Sequence, residues 1–120
     1  MMSLTFNDPS LLQWLDTHSE SDYDKLPFGV VKMDYEGVVA AYSRGQSKIS
    51  GVTKENAKGK NFFTQIAPCT NNFMVAERYK DITLDETLPY MFTYITKPTP
   101  VTLRLIKGGN GSQYLLAKNA

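Results

Sequence analysis

Hydrophobic and polar residues change their spacing along the chain, and each change marks an element. In NDPSLLQWLDTHS, Leu11, Trp14 and Leu15 recur at the spacing of one helix face, with Asp8 placed to cap and Pro9 suited to a first turn. After the polar SESDYDK, the segment FGVVKMDYEGVVAAYS reads as two strands around Asp34-Tyr35-Glu36-Gly37, where Gly37 supplies the positive φ of a short hairpin loop. Between Ser43 and Gln65 the alternation stops. Gly45, Gly51 and Gly59 break that stretch into short helical pieces, and Thr53 is a capping candidate. NNFMVAERYKDITLDE places Val75, Tyr79 and Ile82 at helical spacing behind a cap at Asn72, which predicts one longer central helix. LPYMFTYIT, VTLRLIK and QYLLAK read as strands separated by KPTP and GGNGS. Two strands, a helical crossover and three more strands predict an α+β fold built on one antiparallel sheet.

Composition narrows the function classes. A chain of 120 residues, 42% of them hydrophobic, has the size of one compact domain with one real core. Thirteen basic and twelve acidic side chains leave a net charge of +1, and no basic run is long enough to track phosphates, so nucleic acid is not an expected partner. Neither a signal peptide nor a membrane span is readable, so a cytoplasmic location is expected and a membrane is not. One cysteine, Cys69, and one histidine, His18, give neither an internal disulfide nor a metal-ligand cluster.

Two features carry candidate chemistry. If 43–50 is helical, Tyr42, Gln46, Ile49 and Ser50 share one face, while Arg44, Ser47 and Lys48 mark the outside. The polar groups of Tyr42 and Gln46 then point inward and need partners, which could be each other, backbone or a ligand. The second feature is NFFTQIAPCTNN, which sets Cys69 between a proline and a threonine just after an aromatic pair. A lone cysteine is ordinarily a small buried hydrophobe.

The surrounding motif changes that expectation. LPFGVVKMDYEG, AYSRGQSKISG, GKNFFTQIAPCT and MFTY together make the chain resemble the photoactive yellow protein family of blue-light receptors, over 26–94 without a gap and more loosely over 101–118. The most specific part is Lys60-Asn61-Phe62-Phe63 followed at fixed distance by Ala67-Pro68-Cys69-Thr70. The resemblance implies the PAS fold: a central five-stranded antiparallel sheet with short helices on one side, one longer central helix and a short N-terminal helix. It also implies an N-terminal cap over 1–25 and a PAS domain over 26–120.

In that family the cysteine holds p-coumaric acid (4-hydroxycinnamic acid) as a thioester, which carries over to Cys69. A thiolate is the natural nucleophile toward an activated acyl group. Residues matching Tyr42 and position 46 donate hydrogen bonds to the chromophore phenolate, and the one matching Ser50 supports the tyrosine. By the same resemblance Val31, Val52, Phe62, Ile66, Ala67, Pro68, Thr70 and Tyr94 contribute to the pocket wall, Pro68 by stiffening the approach to the attachment point. A free phenol has a pKa of about 10, so holding it ionised at pH 7 takes more than about 4 kcal/mol before desolvation. Donors to a charged group contribute about 1.5–3 kcal/mol each, so Tyr42 and Gln46 supply about 3–6. The margin is thin.

The chain departs from the family pattern at three places. Gln46 stands where glutamate is usual and has no proton to give. Val52 stands where arginine is frequent, and the loop after Tyr94 is shortened to KPTP, with Lys97 the one cation at hand to replace that arginine. The expected function is light sensing by trans-to-cis isomerisation and a photocycle, signalling to a downstream protein the sequence does not name, from a monomer or weak dimer. Two alternatives belong to other classes: a PAS interaction module without chromophore that binds a partner or small ligand, and an enzyme using Cys69 as nucleophile, for which no base is evident near the motif.

Overall fold

The computed structural model describes residues 4–93 and 97–120. Five strands, β1 (Gly29–Met33), β2 (Val39–Tyr42), β3 (Leu84–Phe92), β4 (Thr99–Lys107) and β5 (Gln113–Asn119), form one sheet in the order β2-β1-β5-β4-β3. Every neighbouring pair is antiparallel, as the α+β and PAS expectation requires. The β1–β2 hairpin forms where Gly37 places it, with φ at 89°. Asp34 Oδ1 holds the turn by accepting from Glu36 N at 2.9 Å and Val38 N at 3.0 Å.

The centre of the sheet is buried on both faces. Tyr114, Leu115, Leu116 and Ala117 of β5 are all fully buried in an uninterrupted run, as befits the central strand of a covered sheet. One face packs on the N-terminal segment: Val30, Ala41, Ile106, Tyr114 and Leu116 meet Phe6, Leu11, Leu15, Tyr23 and Phe28. That segment carries α1 (Leu11–Thr17) and α2 (Glu20–Tyr23). Leu11 and Leu15 are buried and Trp14 is half-buried. The helix begins at Leu11, later than a cap at Asp8 would start it, because Asp8 Oδ1 closes a local turn by accepting from Ser10 N at 2.9 Å and Ser10 Oγ at 2.6 Å.

The opposite face is covered by short helices. These are α3 (Arg44–Ser50), α4 (Lys54–Ala57), a π-helical turn (Phe62–Ile66) and a 3₁₀ turn (Pro68–Thr70). Thr53 caps α4, its side chain accepting from Asn56 N at 3.2 Å.

The longer central helix is not there. Asn72 does cap, its Oδ1 accepting from Met74 N at 2.9 Å and Val75 N at 3.2 Å, but Val75 is non-helical, at φ −124° and ψ −71°. Only a five-residue 3₁₀ turn, Ala76–Lys80, follows. Val75 and Tyr79 are buried as their spacing implied, whereas Ile82 is 84% exposed and Leu84 already enters the core as the first residue of β3. Pairing across β4 from Leu84↔Lys107 to Phe92↔Thr99 claims residues that a helix would have used. The strand therefore starts earlier than the run LPYMFTYIT suggests.

Candidate functional site

The site begins at the junction of β2 and α3. Ser43 is fully buried, and its Oγ accepts from Gln46 N at 3.2 Å and Val30 N at 2.8 Å, capping α3 and stitching it to β1 at once. Helix α3 ends at Gly51, which takes the left-handed conformation at φ 77°. Between these ends Gln46 and Ser50 are buried while Arg44 and Lys48 are exposed, so the helix presents the face its spacing implied. Tyr42 and Gln46 both have no exposed surface.

A short set of hydrogen bonds links the end of α3 to Tyr42. Val52 N donates to Ser50 Oγ at 3.1 Å, and Ser50 Oγ lies 2.7 Å from the Tyr42 hydroxyl. Either hydroxyl can be the donor in that contact, which holds the Tyr42 side chain against the end of α3. Gln46 is seated by a close approach: a Cβ on Gly29 would lie 2.3 Å from Gln46 Oε1 and 2.9 Å from Gln46 Cα. Only glycine lets α3 come this near to β1.

The apolar wall lies on the same side of the sheet. Val31, Tyr42, Phe62, Ile66 and Ala67 belong to one buried cluster, and Val52 and Cys69 pack against it from half-buried positions. Asn61 organises the wall by accepting from Phe63 N at 2.9 Å and Thr64 N at 3.1 Å. The wide turn that follows, closed by Ala67 N to Phe62 O at 2.7 Å, buries Phe62, Phe63 and Ile66 together. Thr70 is buried and donates from Oγ1 to Ala67 O at 2.7 Å.

The structure thus gathers Val31, Tyr42, Gln46, Ser50, Val52, Phe62, Ile66, Ala67, Cys69 and Thr70 on the helical side of the sheet. Pro68 is exposed and opens the 3₁₀ turn that carries Cys69, so its part is in the backbone and not in the wall. Tyr94 lies outside the described residues. Lys97 is exposed.

Several contributors escaped sequence reasoning. Glu20 Oε2 accepts from Tyr42 N at 3.0 Å, and Asp24 Oδ1 accepts from Arg44 N at 2.7 Å. Two carboxylates of the N-terminal segment therefore hold the backbone on either side of Ser43. Lys58 pairs with Glu20 at 3.2 Å and Lys54 with Asp24 at 2.7 Å. Burial pushes the Asp24 carboxyl up, but the hydrogen bonds from Lys54 and Arg44 N outweigh it and hold it below the usual aspartate value. On the far face, Tyr114 donates to Asp16 Oδ1 at 2.6 Å, and burial together with that carboxylate pushes its phenol far up. Arg104 Nη1 donates to Phe6 O and Asp8 O, both at 2.9 Å. No short-range pattern announces pairs so far apart in sequence; the capping position of Ser43 is the one signal that was open to reading.

The buried donors Tyr42 and Gln46, an adjacent apolar wall and a half-buried thiol fit a phenolic acyl group attached at Cys69. No family model matches the chain. It is 31% identical over 106 residues to the photoactive yellow protein of Halochromatium salexigens, covering 85% of each chain. Among solved structures it is similar to the photoactive yellow protein domain of the sensor histidine kinase Ppr from Rhodospirillum centenum, with a TM-score of 0.81 and 30% identity over 89% of this chain and 98% of that one. A PAS domain from Colwellia psychrerythraea shares the fold at a TM-score of 0.63 and 13% identity, covering 92% of this chain and 97% of that one.

Proposed function

The chain belongs to the photoactive yellow protein family, and on that footing we propose that it is a blue-light photoreceptor carrying p-coumaric acid as a thioester on Cys69. At the coarser level it is a PAS-type sensory module. One observation carries the assignment: Cys69 packs against the same buried cluster that contains Tyr42, with Gln46 and Ser50 buried on the facing helix. Loading would form a bond between Cys69 Sγ and the acyl carbon of an activated p-coumarate. The activating group departs and the thiol proton goes to solvent.

The bound group supplies light absorption and a trans-to-cis isomerisation. The chain's own residues do the rest. Ser50 orients Tyr42, and Tyr42 and Gln46 hold the phenolate by two neutral donors, contributing about 3–6 kcal/mol against the more than about 4 needed at pH 7. Phe62, Ile66 and Val31 exclude water, which raises the worth of each donor. When the phenolate leaves, its hydrogen bonds to Tyr42 and Gln46 are lost and these buried side chains rearrange. Glu20 and Asp24 connect that disturbance to the N-terminal segment through the backbone of Tyr42 and Arg44. Loosening of that segment from the sheet is the proposed output, delivered to a partner signalling protein in the cytoplasm without enzymatic turnover.

Mixing the purified apoprotein with activated p-coumaric acid tests the assignment by intact mass and absorption. One acyl group per chain and a visible band are expected, both lost in Cys69→Ala. Unmodified protein would return the chain to a chromophore-free interaction module. Acylation that survives Cys69→Ala would mark non-specific chemistry.

A further inference from the structure

The turn that carries Cys69 is tied to the sheet through its own main chain. A three-residue 3₁₀ turn leaves its last carbonyls without partners of its own. The Cys69 carbonyl nevertheless accepts twice, from the Tyr90 hydroxyl and from Asn72 Nδ2 at 3.1 Å. Asn72 Nδ2 also donates to the Tyr90 hydroxyl at 2.7 Å, closing a three-membered ring of hydrogen bonds. Both partners are themselves fixed. Tyr90 lies on the edge strand β3, its ring 6.5 Å from that of Phe92, and it packs against the same cluster as Cys69. Asn72 is held by the backbone of Met74 and Val75 through its Oδ1.

We propose that Tyr90 and Asn72 are positioning residues that clamp the Cys69 backbone to the edge of the sheet, so that movement of a group attached at Sγ is delivered to Tyr42 and Gln46 and not to the attachment turn. This rests on the reading of Cys69 as the attachment point. A group tethered at one end and hydrogen-bonded at the other can change shape by shifting either end, and the end with fewer restraints yields. The clamp restrains the tether at a main-chain atom, beside the Thr70 bonds to Ala67 O from N at 2.9 Å and from Oγ1 at 2.7 Å. The donor end is held by side chains alone. The strain of the changed shape is then kept in the site and drives its return.

Two variants separate the clamp from mere packing. Tyr90→Phe keeps the ring against Phe92 and drops the hydroxyl. Asn72→Asp keeps the acceptor for Met74 and Val75 and turns the donor into a second acceptor facing the Cys69 carbonyl. In the apoprotein, amide hydrogen exchange at Thr70, Asn71 and Asn72 should rise by roughly three- to tenfold in each variant, with β5 unchanged. In the protein loaded with p-coumaric acid, dark recovery after a flash should slow by roughly the same factor while the dark absorption band stays in place. Unchanged exchange in both variants would overturn the clamp, as would a rise shared equally by β5. Raised local exchange with wild-type recovery would overturn the positioning role. A wild-type protein that accepts no acyl group at Cys69 would sink the functional reading, and is told apart because the exchange comparison uses apoprotein only.

Discussion

Arg104 is the point at which the N-terminal segment can be released without touching the proposed pocket. Its side chain is 5% exposed, in the face of the sheet opposite α3, and its fork reaches Asp85 through Nε and Nη2 at 2.9 Å each. Asp85 is 56% exposed, so that ion pair is solvated and contributes less than about 1 kcal/mol. The remaining nitrogen, Nη1, holds the carbonyls of Phe6 and Asp8, which are the last backbone anchors before α1. Two charge-assisted hydrogen bonds are worth about 3–6 kcal/mol gross, against a desolvation cost of several kcal/mol for the guanidinium. Arg104→Met removes the charge and its desolvation cost together and keeps an apolar stem; Asp8 O still accepts from Leu11 N at 3.2 Å, so the net loss is set by the Phe6 carbonyl left behind, about 1–3 kcal/mol. That raises the opening constant of the segment about 5- to 150-fold. Hydrogen exchange of the α1 amides reads it directly, and the emission of Trp14, half-buried and stacked on His18 at 4.1 Å, reports it independently. The strands should keep their protection. If α1 exchanges as slowly as before, or if β5 loses protection by the same factor, Arg104 is a general core residue and not a latch.

Asp24 makes the same junction acid-sensitive. Its carboxyl sits below its unfolded value, so its contribution to stability is present above about pH 4 and is lost as pH falls through the folded value; Asp24→Asn should be less stable at pH 7 in urea and flatter in acid. In the loaded protein Gln46→Glu should shift the dark absorption to the blue, because a carboxylic acid is a stronger donor to phenolate than an amide and localises its charge; an unshifted band would mean that position 46 does not touch the phenolate. Val52→Arg, placed at a half-buried residue whose N–H already supports Ser50, should lower the dark pKa of the phenolate band on acid titration; equal values in variant and wild type would put residue 52 out of electrostatic reach.

Local chemistry made much of this protein readable from its residues alone. Gly37 suits a turn of positive φ, and the spacing of Gln46 and Ser50 puts both on one face of α3, because backbone conformation and side-chain direction are settled within a few residues; Tyr42 reaches the same place from the end of β2. The stretch 71–86 carries an apolar spacing that suits a helix in isolation, and the fold does not use it so. Asn72 spends its side chain on a tight turn, and pairing with β4 draws Leu84 into a strand and leaves Ile82 outside. Contacts across long separations had no local trace. Tyr42 N meets Glu20, Arg104 meets Phe6 O and Tyr90 meets the Cys69 carbonyl because the strand order brings distant segments side by side. Each of those partners carries an ordinary polar group that would have been equally content in water. Only the tertiary structure, by burying the backbone atoms they satisfy, decided that they were needed.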